Sequence, residues 1–209
     1  MKNNNIGIPE RQIRAHSTEE YIRVYQAYSD EIADSALKHQ KFISPPYNMS
    51  RMTWIKPSFY WMMYRSGWGL KDNKQKRILA IDLKHCGFNW ALSHSCLSSF
   101  KPDLMSSKED WAKQKASSPV CIQWDPERDF SLNKLGYRSI QIGLSGEAVS
   151  RYANDWIVKI VDVTDLASSI KDEVGRGNID LAKSISPIEN PYQVSSFIMD
   201  RLFIDKDQI

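Results

Sequence analysis

A chain of 209 residues with 42% hydrophobic and 25% charged residues is long enough for one domain with a sizeable core and too short for two comfortable ones; this composition excludes extensive disorder. The net charge of +3 and pI near 8.6 are milder than a nucleic-acid binder usually shows, so charge alone assigns no partner. No run approaches the roughly 18 apolar residues that span a bilayer, and the opening "MKNNNIGIPERQ" lacks the apolar centre of a signal peptide, so the expectation is a cytoplasmic protein with no membrane partner.

Residues 1–12 read as a flexible arm and 13–209 as a single domain. "YIRVYQAY" (21–28) is β-branched and aromatic and predicts a strand, with Gln26 interrupting an otherwise apolar face. "SDEIADSALKHQ" follows as a helix, with Ser29 as N-cap and Asp30 and Glu31 in its first turn. The prolines of "FISPPYNMS" demand a loop. That loop delivers "RMTWIKPSFYWMMYRSGW" (51–68), in which "RMTWI" suits a strand, Pro57 stops it, and a helix runs from Ser58 to a stop at Gly67.

"KRILAIDL" is nearly continuous in apolar residues and predicts a strand buried on both faces. "NWALSHSCLSSF" and "SKEDWAKQKA" read as short helices, the second capped by Ser107. "PVCIQWDPE", "RSIQIGL" and "DWIVKIVDVT" are strand-like, with one helix, "SGEAVSRYAN", joining the last two. From Asp165 onward the chain reads as helical or irregular. This order predicts an α+β fold with mixed or antiparallel sheets rather than a doubly wound parallel sheet. No Gly-rich dinucleotide motif or phosphate loop accompanies it.

Three constellations could carry chemistry. Arg51, Thr53, Lys56, Ser58, Tyr60 and Tyr64 gather cations, hydroxyls and rings around a helix start, which suits a phosphate and a planar base. Trp54, Phe59, Met62 and Met63 are expected in the core, and the plain alternative makes Trp54, Trp61, Met62 and Met63 nothing more than core, with the basic side chains lying over it. "QWDPERD" (123–129) places Glu127 and Arg128 at a strand end, where a carboxylate can take a proton or stabilise a developing cation. Asp82, His85, Asp125 and Glu127 could hold Mg²⁺ as in a nuclease, at spacings that match no named motif. Cys86, Cys96 and Cys121 are odd in number, with no CxxC pair, and read as reduced thiols rather than a disulfide framework or zinc site. Neither Cys–His nor Ser–His catalysis has a supporting motif.

The blocks "IRVYQAYSDEIADSAL", "RMTWIKPSFYWMMYRSGWG", "QWDPERD" and "RSIQIGLSGEAVSRY" resemble a family of roughly 200-residue proteins catalogued as a domain of unknown function, over about Arg11 to Asn190. More distantly the chain resembles the ADP-ribosyltransferase superfamily. That resemblance implies a split α+β core of two small sheets gripping NAD, and the transfer of ADP-ribose to a nucleic acid (RNA or DNA) or protein acceptor. A toxin or defence enzyme of this kind would also imply an antitoxin-like inhibitor as partner.

Carried over by residue, the resemblance sets Gln26 where a His or Arg usually stands, with Tyr25 beside it. It gives Thr53 and Ser58 to the nicotinamide ribose and Tyr60 or Tyr64 to stacking on nicotinamide. Glu127 becomes the glutamate that holds the ribose hydroxyl, with Glu147 as its rival. Arg51 and Lys56 supply cations for the pyrophosphate. The alternatives from other classes are a non-catalytic nucleotide or nucleic-acid binding module and, third, the metal-dependent nuclease.

Overall fold

The computed structural model describes residues 8–205. Its elements are β1 (Arg14–Ala15), β2 (Ile22–Tyr28), α1 (Asp30–His39), β3 (Thr53–Ile55), α2 (Phe59–Ser66), β4 (Arg77–Leu83), α3 (His85–Ser93), β5 (Ser95–Leu97), α4 (Lys108–Ser117), β6 (Val120–Arg128), β7 (Lys134–Leu144), α5 (Glu147–Arg151), β8 (Ile157–Asp162), α6 (Thr164–Gly175), α7 (Ile179–Ile185), β9 (Asn190–Pro191) and α8 (Ser196–Leu202).

The strands form an α+β body with a three-stranded sheet, β2-β4-β8, a four-stranded sheet, β3-β7-β6-β5, and a small β1-β9 pair. All pairings are antiparallel except β5 with β6, which makes the larger sheet mixed. The central strand β4 is apolar along both faces because both are covered. Leu79, Ile81 and Leu83 enter a large core with Ile22, Val24 and the inward residues of β6 and β7. Ile78 and Ala80 enter a smaller core with Tyr25, Phe59, Met62 and Met63, closed by Ala167 and Ile170 of α6. Helix α2 therefore lies between the sheets, and its ends are fixed by local chemistry. Ser58 Oγ accepts the Trp61 amide at 3.1 Å, and Gly67 takes the left-handed conformation (φ 59°) that stops the helix.

Two expectations are corrected. The segment read as one helix through "NWALSHSCLSSF" divides, because Ser95, Cys96 and Leu97 are buried as strand β5 in parallel register with Val120, Cys121 and Ile122. The expected arm of residues 1–12 lies outside the described residues up to residue 7, and its described end is anchored. Glu10 O accepts the Arg138 amide at 2.7 Å, and the Arg11 amide donates to Asp205 Oδ2 at 2.8 Å. Paired backbone donors of this kind hold a terminal segment to the body.

Candidate functional site

The two main sheets meet where β2 and β3 run side by side and then part. One backbone bridge joins them, the Tyr25 amide donating to Lys56 O at 2.7 Å. Beside it, Gln26 spans the same gap. Its Nε2 donates to Thr53 Oγ1 at 2.8 Å and to Trp54 O at 3.0 Å, while its Oε1 accepts Tyr152 Oη–H at 2.6 Å. All of its strong hydrogen-bonding capacity is spent inside the protein. In this structure Gln26 is a clamp between sheets.

Where the sheets part, a cleft of about 780 Å³ opens, within the size range of small-ligand sites. Gln26, Thr53, Lys56, Gln123 and Gln141 contribute polar lining, Trp54, Met52 and Met62 apolar wall, and Arg51, Arg65 and Lys74 cations. Trp54 comes close to the floor because residue 143 is glycine: a Cβ there would stand 2.9 Å from both the Trp54 ring and Cys121 Sγ. Gln141 is fixed by donating to Gln123 Oε1 at 3.1 Å and to Asp125 Oδ2 at 2.5 Å.

Lys56 is the unusual member of this lining. It is 5% exposed, and its Nζ donates to Trp54 O at 3.1 Å, with no other hydrogen bond or ion pair among the described residues. The Trp61 ring lies 5.7 Å from the ammonium. Burial pushes its pKa down to about 7, Arg65 adds to the fall, and Asp125 opposes it.

A second group sits beyond the cleft at the start of α2. Glu127 Oε1 accepts Ser58 Oγ–H and the Arg128 amide, both at 2.8 Å. Glu189, between α7 and β9, accepts the Phe59 amide at 2.6 Å. Glu189 as a residue is only partly covered, but its carboxyl is withdrawn from water. Burial raises both carboxyl pKa values, and the charge of Glu127 raises that of Glu189 further. The Arg128 amide, Ser58, Ser139 and Arg14 pull Glu127 back down; the Phe59 amide and Arg14 do so for Glu189. Both carboxyls sit at a helix N-terminus, where free amides favour negative charge and oppose the effect of burial.

The expected residues therefore divide. Arg51, Thr53 and Lys56 line the cleft with Gln26. Ser58 and Glu127 belong to the carboxyl pair. Tyr25 is 1% exposed and packs edge-on against Phe59 in the small core. Tyr60 turns to Ser186, its hydroxyl 2.6 Å from Oγ, and Tyr64 is capped by the Arg128 guanidinium 3.5 Å above its ring. Neither tyrosine lines the cleft; helix rotation gives that place to Met62 and Arg65. Glu147 is exposed and paired with Arg151 on α5.

The sequence does not single out Gln123, Gln141 and Lys74 as lining, or Glu189 and Arg14 as neighbours of Glu127, whereas Arg65, a cation among the aromatics beside Arg51 and Lys56, does line the cleft. A usable signal for two of them was present. Gln123 and Gln141, like Gln26, are amides that interrupt apolar strands. The carboxylates considered for Mg²⁺ are dispersed: Asp82 is held by Arg23 in a two-bond pair at 2.7 and 2.9 Å, and His85 bonds Tyr192 and Thr18 O. Among the described residues no three His, Cys, Asp or Glu side chains are grouped to hold a metal, and no helix is long and apolar enough to cross a membrane.

Fold and site together define an α+β protein with a basic, apolar-walled cleft at the junction of two sheets. The chain belongs to the family described as Domain of unknown function (DUF4291), whose model matches residues 12–192. No curated protein matches it.

Proposed function

We propose that the protein is an NAD-dependent ADP-ribosyltransferase that holds NAD in the cleft between the sheets. The observation that carries this reading is the cleft itself: Trp54 and Met62 offer a wall to a planar ring, Arg51, Arg65 and Lys74 offer charge to a pyrophosphate, and the amides of Gln123 and Gln141 offer hydrogen bonds to sugar hydroxyls. In the reaction the bond from ribose C1′ to nicotinamide breaks, and the bonding pair leaves with the neutral ring. A nucleophilic oxygen or nitrogen of a nucleic acid or protein then bonds to C1′ and gives up its proton. Glu127, at the bulged end of β6 beyond Gln123 and Asp125, is the proposed carboxylate for the developing cation and that proton.

The test is transfer of label from labelled NAD to RNA, DNA or lysate protein, with parallel release of nicotinamide. Wild type transfers label, and Glu127→Gln, still folded, does not. Wild type that releases no nicotinamide under any of these conditions ends the enzyme reading. A second reading, nucleotide binding without transfer, is favoured by one observation: Glu127 is turned to Ser58 and the Arg128 amide and does not line the cleft. Saturable NAD binding with no turnover would establish it.

A further inference from the structure

We propose that Lys56 is an amine nucleophile that captures the open-chain aldehyde of a phosphorylated aldose in the cleft as an imine. A buried ammonium ordinarily has a carboxylate partner, because burying a charge without one is costly. Lys56 has one backbone carbonyl, Trp54 O, and the edge of the ligand cleft. The charged groups acting on it are Arg65 and Asp125, and the cation is the stronger influence. Lys56 is 5% exposed, and its ammonium lies 5.7 Å from the buried Trp61 ring. An amine desolvated in an apolar site beside another cation is the recognised setting for imine chemistry.

At pH 7 a lysine with pKa about 7 has a neutral fraction roughly a thousandfold above that of a lysine at its ordinary 10.5. Arg51, Arg65 and Lys74 in the same cleft select a ligand that also carries phosphate.

The step balances within the cleft. The Nζ lone pair attacks the aldehyde carbon, a C–N bond forms, and the carbonyl pair moves to oxygen. A proton passes from nitrogen to that oxygen to give the carbinolamine. Loss of the hydroxyl with a second proton, as water, leaves the imine. Amine and aldehyde give imine and water, with no oxidant or reductant. NAD turnover is not needed, so the inference stands or falls separately from the transferase reading.

The experiment uses the full chain, ribose 5-phosphate and cyanoborohydride at pH 7, with no NAD, followed by mass mapping of modified lysines. Reduction converts the imine to a stable secondary amine. The expected result is modification at Lys56 at least about tenfold above any other lysine, and slower modification with unphosphorylated ribose. Lys56→Arg, which keeps the charge, should lose the adduct while the remaining lysines keep their background level. Mapping in wild type decides the matter even if that variant does not fold. Modification spread over surface lysines, with Lys56 at or below their level, overturns the proposal, as does equal modification by ribose and ribose 5-phosphate.

Discussion

Gln26 on β2 donates to Thr53 Oγ1 on β3 at 2.8 Å, and this contact, with the Tyr25–Lys56 backbone bridge, is where two otherwise separate sheets are fastened. The same amide accepts from Tyr152 at 2.6 Å, so three parts of the chain converge on one side chain. Its removal should cost stability before it costs anything else. Gln26→Leu strands the Tyr152 hydroxyl in a buried site and leaves Trp54 O only its bond from Lys56, and we expect a loss of about 1–3 kcal/mol in urea unfolding.

Ser58 serves two partners, accepting the Trp61 amide at 3.1 Å and donating to Glu127 at 2.8 Å. Ser58→Ala removes a helix cap, worth about 1–2 kcal/mol. It also deletes a donor that stabilises the Glu127 carboxylate, so the Glu127 pKa should rise further. Carboxyl titration followed by NMR in wild type and variant measures that shift.

The carboxyl pair gives stability a pH dependence of definite sign. Both Glu127 and Glu189 have folded pKa values above the ordinary 4.5, so the folded state holds more protons than the unfolded one between 4.5 and the raised values. Their contribution is complete below 4.5 and is lost as pH rises through the folded values. Glu189→Gln keeps an acceptor for the Phe59 amide and removes the charge. The urea midpoint of the variant should therefore fall less than that of wild type across the acid-to-neutral range; equal falls would show that Glu189 is not the group responsible.

Lys56 has the opposite displacement, from 10.5 down to about 7. Its unfolded form binds the extra proton between those values, so its contribution to stability is complete above 10.5 and is lost as pH falls to 7. Lys56→Met removes the titration. The stability difference between wild type and this variant, followed by urea unfolding from pH 7 to 10, should move in favour of wild type as pH rises.

The strand and helix order was legible where local chemistry decides it: the Gly67 stop and the two-faced apolar run of β4 stand as the residues imply, while Ser58, expected inside the helix, is its N-cap. Strand β5 was not legible, because "SCL" becomes a strand only by pairing with β6, some 25 residues further on in register. Half of the site followed the same divide. Arg51, Thr53 and Lys56 reach the cleft from β3 and the residues flanking it, whereas Tyr60 and Tyr64 are taken by Ser186 and Arg128, partners distant in sequence. Glu189 was invisible for a similar reason, since its meaning comes entirely from the α2 amide it reaches 130 positions away.

The claim central to the proposed function is that the cleft binds NAD, and calorimetric titration of NAD into wild type and into Arg51→Ala and Arg65→Ala tests it most directly. Both arginines are exposed at the cleft and hold no buried partner, so the variants should fold as wild type does. The account predicts saturable binding by wild type, weakened about tenfold or more by either substitution through loss of a charge-assisted phosphate contact. Absence of NAD binding by the folded wild type, or affinity unchanged in both variants, would contradict it.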